Sequence, residues 1–315
     1  MRSERLASST PELDVAEKEW WNRFSPVNER LWGLDDDTAL ALRGAYLERA
    51  ARFLRESGAE RILDLGCGSG FVSRFLAERG FQVLGLDVSE EQIRFARASA
   101  GEHGLDGRVT FEVAGIDRLQ DRGERFDGVV THAFLHHLAA DELDALLGDI
   151  RSVVAPGGAA WFLEPVFFPP GPRTGATWAK RVERYASYLA KRAASARGLL
   201  DEAPLRAAGE FYAEAERNGW FLSPKEVPFA PQELSDALGA HFEVERAQWA
   251  MASGHATAQW VTLVRHPGLR RALAQGLVAA SARWDGWLGD RGGLALYRGL
   301  DGYGFAAAYC RLAAG

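Results

Sequence analysis

Four groups of residues in this chain have the types and spacing to do chemistry. In the run ILDLGCGSG, Asp64 precedes three alternate glycines, Gly66, Gly68 and Gly70, with Cys67 between the first two. Glycine tolerates backbone conformations and close approaches that a side chain would block, so such a loop can touch a ligand with its main chain. Asp87 ends the run FQVLGLD and is followed by Val88. THAFLHH supplies Thr131, His132, Phe134, His136 and His137, and FLEP supplies Glu164. A dinucleotide fingerprint would place its third glycine where Phe71 stands, and Asp64 would repel a pyrophosphate but attract a cation. At the carboxyl end of a strand, Asp87 can accept hydrogen bonds from ribose hydroxyls. Together these residues predict a nucleoside ligand with a cationic tail and no phosphate.

The elements that must position these groups alternate. RILDLG, FQVLGLDV and RVTFEVAG read as strands because they are short and almost continuously apolar, and FVSRFLAERG and SEEQIRFARASA read as the helices between them. RFDGVVTH is a fourth strand, AADELDALLGDIRSVV a helix closed by the turn APGG, and AAWFLEP a fifth strand. Residues 60–165 are therefore expected to form a doubly wound α/β unit. Two segments of helical spacing precede it, the first carrying Trp20, Phe24 and Trp32, the second Leu42, Tyr46, Leu47 and Leu54. After FFPPGPRTG, residues 176–217 are helical and too long for a simple strand connection, so they read as an inserted lid. HFEVERAQWAM is a sixth strand, residues 265–298 read as helical, and YGFAAAYCRLA closes the sheet. The expected division is an N-terminal helical lid over 1–58, a ligand-binding core over 59–165, a capping insertion over 166–235 and a completion of the sheet over 236–315.

With ILDLGCGSG, GLDVS, FDGVVTHAFLHHL and APGG in that order, residues 60–165 resemble the class I S-adenosylmethionine-dependent methyltransferases. The resemblance implies a Rossmann-like doubly wound sheet with N-terminal helices and a helical lid insertion after the fifth strand. It also implies that S-adenosylmethionine is the cofactor, met by Asp64, Gly66, Cys67, Gly68, Gly70, Asp87 and Val88. Thr131 and His132 follow at the end of the fourth strand. The family often carries an aspartate where this chain has Gly115; here Ile116 packs on the adenine, and Asp117 either replaces the contact or does not. SPKEVPF, residues 223–229, with the EP of FLEP, is similar to a subgroup acting on small or lipid-like molecules.

In open α/β sheets ligands sit beyond the carboxyl ends of the strands, which is where an acceptor would meet the residues after strands four and five. Methyl transfer needs alignment and exclusion of water more than it needs a base. Ionising a phenol at pH 7 costs about 4 kcal/mol, and an aliphatic alcohol or carbon acid far more. Glu164, His132 and His136 are the candidate bases. Each has a structural alternative: capping of the next loop for Glu164, support of a turn for His136 and His137, and lining the cofactor for His132. His136 and His137 are not expected to form a metal pair, because adjacent side chains diverge on a helix or a strand. Trp20, Trp21, Phe24, Phe134, His137, Phe167, Trp178 and Tyr212 are the candidate acceptor contacts, with ordinary packing as the alternative. In the helix that follows the linker, Trp178, Val182, Tyr185 and Leu189 share an apolar face, with Lys180, Arg181, Arg184, Lys191 and Arg192 opposite.

Composition narrows the classes further. With 47% hydrophobic and 25% charged residues, the 315-residue chain has the balance of a globular protein, and no apolar run approaches the roughly 18 residues of a membrane span. A net charge of -6 disfavours a general nucleic-acid binder. The two cysteines, Cys67 and Cys310, provide neither a disulfide framework nor a zinc set, so no metal is expected. MRSERLASSTPELDV has neither the apolar segment of a secretory leader nor the acid-poor composition of a transit peptide, which makes the cytoplasm the expected location. The expected function is methyl transfer to a small hydrophobic acceptor, a natural product or lipid-like molecule, with oxygen favoured and transfer to carbon or nitrogen of an aromatic or isoprenoid molecule, with or without a phosphate, open. The rivals are a nucleotide-dependent oxidoreductase, disfavoured by Phe71 and Asp64, and a cofactor-binding module without catalysis. The basic face of the helix after the linker reads as a solvated outer face, with a phosphate-bearing acceptor or association with an anionic membrane surface as alternatives, and the oligomeric state is open.

Overall fold

The computed structural model describes residues 4–31, 36–116, 119–168, 175–251, 254–287 and 302–312; Trp32 and Asp117 lie outside these. Seven strands form one sheet in the order β3-β2-β1-β4-β5-β7-β6. They are β1 (Arg61–Leu65), β2 (Gln82–Asp87), β3 (Val109–Val113), β4 (Phe126–His132), β5 (Val154–Phe168), β6 (Glu243–Met251) and β7 (Gly302–Arg311). The first five pair in parallel, joined by α3 (Phe71–Ala77), α4 (Glu90–Glu102) and α5 (Ala140–Val153). β7 runs antiparallel between β5 and β6. The chain's last strand thus fills an interior slot of the sheet, and β6 forms the edge.

Side-chain alternation explains why the strands read as continuous apolar runs. Ile62 belongs to the core on one face, while Leu63 and Leu65 belong to the other; in β5, Trp161 and Leu163 face the first and Ala160 and Phe162 the second. Both faces are buried, so the doubly wound, Rossmann-like class holds. The sequence turn APGG lies inside β5, where Gly157 takes a φ of 77° and the pairing with β4 shifts between Phe126 and Gly128. The order reverses at β1, flanked by β2 and β4, which opens the crevice where ligands of such sheets sit.

Helices α1 (Pro11–Leu31) and α2 (Asp36–Glu56) precede the sheet, and α6 (Gly175–Ala196), α7 (Ala203–Asn218) and α8 (Pro231–Gly239) follow β5. Two more, α9 (Gly254–Val261) and α10 (Pro267–Leu273), lie between β6 and β7; α10 runs on through a π turn, Ala274–Val278. α6 does not bury the expected apolar stripe: Val182, Tyr185 and Leu189 are exposed. It packs through small residues instead. Ser187 Oγ lies 3.1 Å from Thr257 Oγ1 and accepts from Trp260 Nε1 at 2.9 Å, and Ala190 and Ala194 join the core. The side chain of Trp178, and those of Lys180, Arg181 and Arg184, lie outside the description.

Gly70 and Gly85 make room for one ring. A β-carbon on Gly70, where φ is 80°, would lie 2.6 Å from Phe111 Cζ, and one on Gly85 would lie 2.7 Å from Phe111 Cδ1. Gly70→Ala is therefore expected to destabilise the fold by ~2–5 kcal/mol through left-handed strain and overpacking, read as a lower denaturation midpoint in urea.

Candidate functional site

A cavity of about 490 Å³ opens at the reversal point between β1 and β4. Asp64, Gly66, Cys67, Gly68, Asp87, Val88, Ile116 and His132 line one end; Trp21, Phe134, His136, His137 and Glu226 line the other. Gly70 and Thr131 are not on its wall.

At the first end the loop is held by Asp87, whose carboxylate accepts the backbone N–H of Gly68 and of Ser89, each at 2.9 Å. Asp64 is fully buried; its Oδ2 accepts from Ser73 Oγ at 2.6 Å, and its Oδ1 has no partner. Burial lifts the Asp64 carboxyl to about 7, with the charge of Asp87 adding to the rise. Burial also raises Asp87, against the two backbone N–H groups that favour its charge. The three glycines serve different ends. A β-carbon on Gly66 would sit 2.3 Å from Phe134 Cγ and one on Gly70 against Phe111, but above Gly68, with φ 52°, the nearest atom is Gln92 Oε1 at 3.8 Å. The open space over Gly68 beside an unpaired buried carboxylate oxygen fits the cationic, phosphate-free ligand expected from sequence.

The second end is organised by Glu164. The chain leaves β4 through Ala133, which takes a φ of 57°, and enters the 3-10 turn Leu135–His137. Glu164 Oε1 accepts the backbone N–H of Phe134 (3.1 Å) and Leu135 (2.9 Å) and the hydroxyl of Thr131 (3.2 Å). Its Oε2 accepts the N–H of His136 at 3.3 Å and lies 2.9 Å from His136 Nδ1. Burial lifts this carboxyl to about 7, opposed by those backbone bonds. Glu164 is wholly buried and off the cavity wall, so the expected contact with the acceptor is not made; it positions the turn.

SPKEVPF brings the remaining groups. Ser223 Oγ donates to Glu17 Oε1 at 2.7 Å, Lys225 N to Glu17 Oε2 at 2.8 Å, and Val227 N to the carbonyl of His136 at 2.9 Å. Lys225 Nζ reaches Asp14 (2.6 Å) and Glu142 (2.7 Å), locking α1 over the cavity. Arg5 donates to the carbonyls of Leu138 (2.8 Å) and Val227 (3.1 Å) and to Glu233 (2.7 Å), over the Phe229 ring. His137 Nδ1 lies 2.9 Å from Glu17 Oε1, and Trp21 meets the His137 ring edge-on. Burial disfavours the His137 cation, but the bond to Glu17 outweighs this and holds its pKa above the usual value. Burial drives His136 well below the usual histidine value, with His137 adding to the fall. Burial lifts Glu226 to about 7.

Several sequence expectations change. His136 and His137 do not diverge: their rings lie 4.0 Å apart on the 3-10 turn, because Glu164 and Glu17 hold the two Nδ1 atoms. Trp20 and Phe24 are buried against each other and Phe211, off the cavity wall. Phe167 and Tyr212 are substantially exposed and also off it. Thr131 points to Glu164, and Gly70 packs on Phe111. His132 Nε2 is 3.0 Å from the Tyr46 hydroxyl, on the wall between the two ends. Glu17 and Glu226 were missed; no periodicity marks them, and the one signal was that SPKEVPF packs a Glu beside a Lys in an otherwise apolar, proline-bounded run.

Residues 62–158 match the family model of a methyltransferase domain. The chain is 29% identical over 159 residues to a ubiquinone biosynthesis O-methyltransferase of Chelativorans sp. (strain BNC1), covering 48% of this chain and 59% of that protein. It is 30% identical over 164 residues to one from Mesorhizobium japonicum, covering 50% and 62%. It thus spans about six-tenths of the curated relatives it matches. Among solved structures, a magnesium protoporphyrin IX methyltransferase from Synechocystis PCC 6803 superposes with a TM-score of 0.52 at 15% identity, over 96% of this chain and all of that one. A mycolic acid cyclopropane synthase gives 0.57 at 14%, over 96% and 99%. Both share the fold. In motif order and fold, the matched region is similar to the class I S-adenosylmethionine-dependent methyltransferases.

Replacing Glu164 by Gln puts an amide donor among N–H groups that need acceptors. Glu164→Gln is expected to lower stability by ~2–4 kcal/mol, measured by equilibrium unfolding. Affinity for S-adenosylhomocysteine, which depends on the other end of the cavity, should change less than threefold in calorimetry.

Proposed function

We propose that this protein transfers the methyl group of S-adenosylmethionine to an oxygen of a small hydrophobic acceptor. The observation that carries the reading is the buried, unpartnered Oδ1 of Asp64 beside the open space over Gly68, at the carboxyl end of β1. Oxygen is favoured because the curated relatives of the domain are named O-methyltransferases. No helix among the described residues is long and apolar enough to cross a membrane.

Bound S-adenosylmethionine supplies an electrophilic methyl on a sulfonium, so the protein's work is to align the acceptor and exclude water. Asp64 would pair with the cofactor's cationic amine. Asp87, after holding Gly68 and Ser89, keeps lone pairs for the ribose hydroxyls, and Val88 and Ile116 would flank the base. Trp21 and Phe134 give the acceptor end apolar walls, while His136, His137 and Glu226 orient the acceptor hydroxyl. His132 sits where the two ligands meet. In this reading residues 1–58 and 166–235 close over the core of 59–165, and 236–315 complete the sheet.

Calorimetric titration with S-adenosylhomocysteine is expected to give one site of micromolar affinity. Asp64→Asn, which loses a charge-assisted bond worth ~1.5–3 kcal/mol, should weaken it by roughly 10- to 150-fold. Gly68→Leu should abolish binding while the fold persists. Mass spectrometry of products from a panel of phenols, catechols and prenylated quinols should show a gain of one methyl on oxygen. Unchanged affinity in both variants would refute the placement, and methylation only at carbon or nitrogen would refute the choice of oxygen.

A further inference from the structure

The acceptor end of the cavity has the donor set of a metal centre. One ring nitrogen each of His136 and His137 and one carboxylate oxygen of Glu226 all lie within 4.8 Å of one another. Each histidine has its Nδ1 taken by a buried carboxylate, His136 by Glu164 and His137 by Glu17, both at 2.9 Å. An Nδ1–H donated to a carboxylate leaves Nε2 as a lone pair, the arrangement by which proteins fix the tautomer of a metal-binding histidine. His136 Nε2 is 3.7 Å from Glu226 Oε1, and no hydrogen bond joins them. Glu226 is 4% exposed, and its Oε2 has no partner. A ring nitrogen of each imidazole and a carboxylate oxygen therefore stand close together in a buried space, and acceptors gathered in that way call for a cation.

We infer that His136, His137 and Glu226 form a binding site for one divalent transition-metal ion, of the zinc, iron(II) or cobalt(II) class, open toward the cavity. Two imidazoles and one carboxylate suit these metals better than the oxygen-seeking magnesium or calcium. Three protein ligands leave at least one position for water or a ligand. In a tetrahedral site with bonds near 2 Å the donors stand roughly 3.3 Å apart, so the cluster needs to contract by about an ångström or less at each group. The three ligands line the same cavity as Cys67 and Gly68. Resting on the methyltransferase reading above, the open position would take the acceptor oxygen and stabilise it as an oxyanion.

The test uses the untagged full-length protein, stripped with chelator and titrated with cobalt(II) under visible absorption and with zinc(II) under calorimetry. One equivalent per chain is expected, with the absorption bands of a four- or five-coordinate cobalt site and a dissociation constant of micromolar or below. Glu226→Gln and His137→Ala should each weaken binding by at least 100-fold, and zinc should raise the melting temperature of the wild type but not of Glu226→Gln. S-adenosylhomocysteine affinity, measured on the same samples, separates the two readings: if it persists while stoichiometric cobalt binding is absent, or is undiminished in Glu226→Gln, the metal site is overturned and the cofactor site stands. If the metal binds as expected and the nucleoside does not, the metal site stands and its role in methyl transfer falls. Should His137→Ala fail to fold, Glu226→Gln decides alone.

Discussion

The acceptor end of the cavity depends on one buried carboxylate. Glu164 collects the backbone N–H groups of Phe134, Leu135 and His136, the hydroxyl of Thr131 and the ring of His136. Burying a carboxylate costs several kcal/mol unless its lone pairs are filled, and here the filling comes from a turn whose amides would themselves be orphaned without it. Carboxylate and turn therefore require each other. The left-handed Ala133 is the conformational cost of bending the chain sharply enough after β4 for successive amides to converge on one point.

A second carboxylate repeats the device from the other side. Glu17, on α1, takes the hydroxyl of Ser223, the backbone of Lys225 and the ring of His137. The N-terminal helix is thus tied to the segment after α7 and to the turn after β4 through one side chain, and Lys225 adds Asp14 and Glu142 to the knot. Elements far apart in sequence meet at the cavity's roof, so the two histidine rings are set by the tertiary fold as a whole. That is why neighbouring residues can present rings 4.0 Å apart when an isolated helix or strand would turn them away.

How much of this was legible follows from the range of each interaction. The alternating strands and helices of residues 61–168 could be read because the central strands β1 and β4 are buried on both faces and α4 and α5 on one, which are local patterns. Asp64 and Gly68 could be read because a strand end and a tight loop fix them within four residues of each other, and Asp87 because it ends the next strand of the same βαβ unit. Glu164 was visible as a residue but not in its direction, since only pairing in register with β4 places its carboxylate under the turn. Glu226 lies outside any helix or strand, and nothing in its neighbours announces that it is buried. β7 was legible as a strand but not as an interior one, because its place between β5 and β6 rests on pairings more than fifty residues apart. In α6 the periodicity was right and its inference wrong: Ser187, Ala190 and Ala194 allow close approach to α9 and leave the aromatic stripe outside.

The charges around the cavity also restrict what can enter it. Asp14, Glu17, Asp64, Asp87, Glu142 and Glu226 line it, against Lys18, Arg43 and Lys225. Lys18 lies 2.5 Å from Glu90, and Lys225 is engaged by Asp14 and Glu142. A phosphorylated acceptor would bring its charge up against these carboxylates in a poorly solvated space, where such repulsion is least screened. Neutral aromatic or isoprenoid alcohols would meet Trp21 and Phe134 without that cost. The carboxylates that line the cavity thus come from three kinds of place at once, the ends of β1 and β2 (Asp64, Asp87), the helices α1 and α5 (Asp14, Glu17, Glu142) and the loop that carries Glu226.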